Sequence, residues 1–278
     1  MIYHQEGHFR AHDDLRICYQ AWQPETTLRA VLIVNHGMGE HSGRYQNYVD
    51  YFAPRGYALY GLDMRGCGRS DGRRGHADRF DDFLEDLKRL HDIVRAAHPG
   101  RATFLLGHSF GSLVALMYGL RQPDGLGGVI SSGTALRDAL PYPGWARAII
   151  RLAGRALPTV AVPSGLKAAQ LSRDAAVVEA YRRDPLVHGV GTLRWASEAI
   201  VARDWLLAHA GEWWLPLLML HGSSDGVCLK EGARLFRAQI AAGRAEHHEY
   251  EGMYHEVHNE TGREEVFRDV EEWLGRMA

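Results

Sequence analysis

Short, wholly apolar runs recur along the first half of the chain, each followed by a stretch whose apolar positions fall three and four apart. Residues 30–34, 57–62, 102–106 and 128–132 read as strands buried on both faces. Between them, residues 45–53 predict a helix stopped by Pro54, and residues 80–97 predict a longer amphipathic one. In the latter, Phe83, Leu84, Leu87, Leu90, Ile93 and Val94 share one face, and Pro99-Gly100 ends it. Two short strands, at residues 8–11 and 15–22, precede this series with Asp13-Asp14 as their turn. The alternation predicts an α/β protein with a mostly parallel sheet covered by helices on both faces.

The rhythm breaks between residues 134 and 212, where the pattern turns helical, with no convincing strand and with prolines at 141, 143, 158, 163 and 185. It resumes with a strand at 217–220, a helix from Lys230, a strand at 247–251 and a C-terminal helix. The division expected is therefore a core at 1–133 and 213–278, interrupted by a helical cap insertion at 134–212. Within the cap, Trp145, Ala148, Ile149, Leu152 and Ala156 form one helical face, while Arg147, Arg151 and Arg155 form another. One reading packs the apolar face on the core and leaves the arginines in solvent. The other lays a basic amphipathic helix on a membrane surface.

In an open parallel sheet, ligands sit beyond the carboxyl ends of the strands. His36, Asp63, Ser109, Asp225 and His255 each follow a strand-like run. Ser109 lies in Gly107-His108-Ser109-Phe110-Gly111, between a strand and an apolar helical run, the context of a nucleophile elbow. Two other segments match Gly-x-Ser-x-Gly. Ser70 runs on into a polar turn with no helix behind it, and Ser224 leaves little chain to supply an acid and then a base. The order Ser, Asp, His expected of an α/β-hydrolase selects Ser109, Asp225 and His255, with His258 as a reserve base. Oxyanion donors are expected from the backbone of Phe110 and of Met38 in the loop His36-Gly37-Met38-Gly39.

Composition adds exclusions. A formal net charge of -2 gives no electrostatic basis for nucleic-acid binding. Three cysteines without pairing spacing fit a reducing compartment, and the start of the chain has no signal-peptide pattern, so a cytoplasmic protein is expected. His255-Glu256-Val257-His258 has one residue too few between Glu and the second His for the zinc-protease pattern, so neither metal nor cofactor is expected.

Residues 35–45, Asn-His-Gly-Met-Gly-Glu-His-Ser-Gly-Arg-Tyr, closely resemble the oxyanion loop of monoacylglycerol lipases, α/β-hydrolases related to bacterial lysophospholipase-like proteins. Residues 63–72, 107–111, 181–186, 221–228 and 254–260 are similar to further loops of that family, so the resemblance covers nearly the whole chain. It departs at the cap before Tyr181, and in Phe110 and Ser112, where the family often has Met and Gly. The resemblance implies hydrolysis of monoacylglycerol through an acyl-enzyme on Ser109, Asp225 and His255, with Met38 and Phe110 as the oxyanion hole. It also implies that Glu40, Arg44, Tyr181 and His258 hold the glycerol head while the cap shelters the acyl chain. Rival readings are a lysophospholipase or other carboxylesterase, an acyltransferase, and a non-catalytic ligand receptor.

Overall fold

Alternation of apolar residues to the two faces of each strand builds two hydrophobic cores, one on either side of a single sheet. The computed structural model describes residues 2–137 and 143–277; Pro141, one of the prolines expected to punctuate the cap, lies outside them. Strands β1 (Ile2–Arg10), β2 (Arg16–Pro24), β3 (Ala30–Asn35), β4 (Tyr57–Leu62), β5 (Thr103–His108) and β6 (Leu126–Ser132) form most of the sheet. After residues 133–216 the chain returns to it with β9 (Leu217–Gly222) and β10 (Ala245–Tyr250). The order is β1-β2-β4-β3-β5-β6-β9-β10. Strands β3 to β6, β9 and β10 run parallel, while β2 pairs antiparallel with β1 and β4.

Val31, Ile33, Leu105, Leu217 and Met219 point to the face covered by α2 (Asp81–Ala97) and α3 (Phe110–Arg121). Their neighbours Leu32, Val34, Phe104, Leu106, Leu218 and Leu220 point to the other face, under α1 (Gln46–Phe52) and α8 (Arg263–Met277). Every residue of β3, β4, β5 and β9 is buried, as strands covered on both sides must be. The first hairpin is longer than its alternation predicts. Its strands extend to residues 2 and 24 through backbone pairing that the polar outer positions do not advertise. Asp14, at the turn, takes a left-handed φ of 64° that an aspartate tolerates.

Between β6 and β9 lie α4 (Gly144–Ala156), α5 (Ala175–Arg183) and α6 (Leu193–His209). The expectation of no strand here is corrected: β7 (Ala161–Pro163) and β8 (Val190–Thr192) form a two-stranded antiparallel ribbon. Three-residue strands are too short to show an alternation, so only the fold reveals them. Of the two readings of α4, the one that packs its apolar face on the core does not hold. Trp145 is 70 % exposed and Leu152 69 %, with Ile149 outward beside them. The helix meets α6 through Gly154, where a Cβ would come within 2.6 Å of Ser197 Cβ, and through an ion pair of Arg147 with Asp204. Helix α7 (Lys230–Arg237) follows β9. No helix among the described residues is long and apolar enough to cross a membrane.

Candidate active site

Between β5 and α3 the chain reverses at one residue. Ser109 has φ 52° and ψ −120°, a conformation costly for any residue with a Cβ, and it is partly exposed where its neighbours are buried. The flanking glycines make the bend possible. A Cβ on Gly107 would lie 2.4 Å from the Gly111 carbonyl oxygen, and one on Gly111 would lie 2.3 Å from the Asn35 oxygen. The turn is held by Ser109 N–H donating to Ser132 O at the end of β6 (2.9 Å) and Ser112 Oγ donating to Ser109 O (2.5 Å). Ser112, which departs from the resembling family, thus takes part in fixing the elbow.

His255 stands in the loop after β10, fully buried beside this turn. Its ring centroid is 4.7 Å from that of His108, and it packs on Gly133, where a Cβ would lie 3.0 Å from His255 Cε1. Its Nδ1 donates to Asp225 Oδ2 at 2.8 Å, which leaves Nε2 as the basic nitrogen. Asp225 Oδ1 accepts from the N–H groups of Val227 (2.8 Å) and Cys228 (2.9 Å). Burial alone would raise the Asp225 pKa, but the charge of His255 and the contacts of His221 and His255 hold it below the usual carboxylate range. Burial lowers that of His255, and the Asp225 carboxylate overcomes this, so the ring is a stronger base than free imidazole. Among the described residues no hydrogen bond joins the Ser109 hydroxyl to this ring. Such contacts commonly tighten only with substrate present.

Phe110 opens α3, so its N–H has no acceptor within the helix. Its ring sits 4.8 Å from Trp195 of α6 and 5.2 Å from Phe83 of α2. The loop after β3 is fixed by Gly37 N–H donating to Glu40 Oε1 (2.5 Å) and by Gly39 O accepting from His188 N–H (2.8 Å). The Met38 N–H takes no part in these bonds. At Gly37 a Cβ would meet Glu40 Oε1 at 2.8 Å and Ser109 Cβ at 3.3 Å, so one residue's width separates Glu40 from the serine.

Glu40, Arg44 and Tyr181 do come together. Arg44 pairs with Glu40 and forms a bidentate bridge to Glu256, at 2.7 and 2.8 Å, while its guanidinium lies 4.7 Å over the Tyr181 ring. Tyr45 donates to Glu40 Oε1 (2.9 Å) and Asn259 to Glu256 Oε2 (2.8 Å). Burial would raise the Glu256 carboxyl, but Arg44 holds it well below its ordinary value. His258 packs against this cluster through the Tyr45 ring without a hydrogen bond to it. It is fully buried, stacked 4.9 Å from Tyr45 and 5.0 Å from His108, with both ring nitrogens lacking a protein partner. It does not touch Asp225, so the reserve base is not placed for that role.

The other strand-end residues are structural. Asp63 accepts from Ser42 N–H, Ser42 Oγ and Arg69 N–H (2.8, 2.6 and 2.9 Å), and His36 Nε2 accepts from Met64 N–H (2.9 Å). Ser70 donates to the Asp63 carbonyl (2.5 Å) and accepts from Cys18 N–H (2.8 Å), while Ser224 is an exposed turn residue. A surface hollow lined by Asp92, Arg95, His98 and Arg101 lies toward the opposite ends of the strands.

Glu256, His221 and the His41–Asp184 pair (2.8 Å) between the loop after β3 and the segment after α5 were not singled out from the sequence. Glu256 and Arg44 are 212 residues apart, and no local spacing could have joined them. No group of three or more metal-ligating side chains occurs among the described residues.

The Hydrolase_4 family profile, described as serine aminopeptidase, S33, matches residues 26–262. A monoacylglycerol lipase of Mycolicibacterium smegmatis is 33 % identical over 97 % of this chain and 96 % of its own length. The phospholipase YtpA of Bacillus subtilis is 28 % identical over 86 % of this chain and 92 % of its own. The crystal structure of Paleococcus ferrophilus monoacylglycerol lipase superposes with a TM-score of 0.83 at 28 % identity, covering 100 % of both chains. Profile, relatives and fold agree, and the chain belongs to the serine aminopeptidase, S33 family, as a monoacylglycerol lipase-like α/β-hydrolase.

Proposed function

We propose that the protein is a carboxylic ester hydrolase that cleaves monoacylglycerols to fatty acid and glycerol, with Ser109 as nucleophile, His255 as base and Asp225 as its partner. The observation that carries this is the 2.8 Å Asp225–His255 bond beside a strained, partly exposed serine at the first turn of α3. The Ser109 hydroxyl attacks the ester carbonyl as His255 Nε2 takes its proton, and the oxyanion is received by the N–H groups of Phe110 and Met38. His255 then protonates the departing glycerol oxygen. Water attacks the acyl-enzyme by the same route and releases the fatty acid.

Head-group choice follows from the cup. Glu40 and Glu256 are both occupied by Arg44, which leaves no open carboxylate for a peptide's amino end. Three of the five guanidinium N–H groups are used, which leaves two to donate to neutral hydroxyls, while the Tyr181 ring covers one face of the guanidinium. Two carboxylates against one guanidinium also disfavour a phosphate, which favours glycerol esters over lysophospholipids.

Residues 134–212 act in this reading as the cap, and α4 is its contact with lipid. Its outward face carries Trp145, Ile149 and Leu152, with Arg151 and Arg155 exposed beside them, so apolar anchors and cations for anionic head groups occur on one helix. In this reading the protein binds a membrane surface peripherally, from the cytoplasm that its cysteine spacing suits, with a lipid ester as its small-molecule partner and no nucleic acid.

The test is a panel of monoolein, lysophosphatidylcholine and an amino-acid arylamide, with and without an acceptor alcohol, on wild type and Ser109→Ala. Monoolein turnover is expected to exceed the others, and Ser109→Ala is expected to lose both turnover and fluorophosphonate labelling while keeping its fold. Faster lysophosphatidylcholine turnover would overturn the head-group argument, and persistent labelling of Ser109→Ala would overturn the nucleophile. Trp145→Glu/Leu152→Glu should weaken sedimentation with anionic vesicles; unchanged sedimentation would refute the α4 contact.

A further inference from the structure

His221 is the penultimate residue of the buried strand β9, with no exposure, four residues before Asp225. Its Nε2 is 2.9 Å from the Cys228 carbonyl oxygen and 3.2 Å from Asp225 Oδ2. Both neighbours are acceptors only, so Nε2 must carry the proton, and this fixes the tautomer. Its Nδ1 is buried without a partner. Cys228 in turn donates its own N–H to Asp225 Oδ1, so one imidazole holds both the turn that grips the carboxylate and the carboxylate's second oxygen.

We infer that His221 is a positioning residue, which fixes the Asp225 carboxylate in register with the His255 ring. The inference rests on the proposed roles of Ser109, Asp225 and His255. Without His221, Oδ1 would still be held by two backbone N–H groups, but Oδ2 would have His255 as its only side-chain contact. The carboxylate could then rotate about the fixed Oδ1, and the imidazole would lose its alignment toward the serine. Other titratable groups also act on the His255 ring: His108 at the end of β5, 4.7 Å away, and the carboxylates Glu40 and Glu256, both paired with Arg44. Asp225 and Cys228 lie on the loop after β9, His255 comes from the loop after β10, and His247 and Glu249 lie on β10. Glu249 is engaged by Arg234 and Lys230, at 2.5 and 3.7 Å.

The roles can be separated with two substitutions. His221→Leu keeps bulk and removes the N–H; His221→Gln keeps an amide N–H at a similar reach. His221→Leu is expected to lower kcat about tenfold, the worth of one hydrogen bond to a charged group, with little change in KM. A carboxylate with one contact fewer attracts the His255 cation more strongly, so the acid limb of kcat/KM should move to higher pH by about half a unit. His221→Gln should recover most of both effects. An unchanged limb in His221→Leu, or a loss that His221→Gln does not relieve, would overturn the inference.

Should His221→Leu fail to fold, nitrogen-15 NMR of the wild-type imidazoles decides. A proton on His221 Nε2 throughout the active pH range is expected, and one on Nδ1 would refute the arrangement. Ser109→Ala run alongside distinguishes the two failures. Retained turnover there removes the proposed triad itself, whereas its loss together with an unmoved limb removes only the role of His221.

Discussion

Asp225→Asn changes one oxygen to NH2, and the structure decides which one. Asp225 Oδ1 accepts from the N–H groups of Val227 and Cys228, at 2.8 and 2.9 Å, so the amide oxygen must occupy that site. The NH2 group is then left facing His255 Nδ1, which is 2.8 Å from the present Oδ2, and His221 Nε2–H at 3.2 Å. Two donors cannot face one another, so His255 is driven to the tautomer with its proton on Nε2. In that form the ring cannot accept a proton from Ser109. The expected loss in kcat is about 10⁴-fold, as for a triad held in the wrong tautomer, or about 5 kcal/mol of barrier. The assay is steady-state hydrolysis of monoolein with circular dichroism as a control for folding. A correctly folded Asp225→Asn protein within about tenfold of wild type would refute the geometry, since one decade is within the reach of an unspecific packing change.

Three further outcomes follow from the packing. Gly111→Ala places a Cβ 2.3 Å from a backbone oxygen that cannot move aside, and should cost about 3 kcal/mol, read as a drop of roughly 6–12 °C in thermal melting. An unchanged melt would mean the helix can shift. Arg44→Met strands two buried carboxylates and should destabilise the fold by about 3–5 kcal/mol in denaturant titration, while Arg44→Met/Glu256→Val should recover part of that. A double variant no more stable than the single one would argue against the pairing. Burial holds His91, His247 and His258 down at about 4 against about 6.5 unfolded, so the unfolded chain binds the extra protons. Their contribution is present above about pH 6.5 and lost as pH falls toward about 4, opposed by the raised His255 and Asp86. Melting temperature should therefore fall between those limits, and a flat profile would contradict it.

The sequence by itself determined the features that local patterning encodes. Unbroken apolar runs in β3, β4, β5 and β9 announce strands covered on both faces, because a single exposed face would require alternation. The strand–Gly-x-Ser-x-Gly–helix context singles out Ser109 over Ser70 and Ser224, since an elbow needs small residues at the bend and a helix behind it. Chain order then names Asp225 and His255. Tertiary structure alone decided which residues meet across long separations, such as Arg44 with Glu256, and which side of a helix faces out. Helix α4 carries an apolar face and a basic face in its sequence, but periodicity records the contrast and not its direction. That direction depends on what α6 offers as a neighbour, and here Ser197 accepts Gly154 at close range while Trp145 and Leu152 turn to solvent. His221 falls on the same side of the line, for its role comes from a carboxylate and a carbonyl brought to one nitrogen by the turn at residues 225–228.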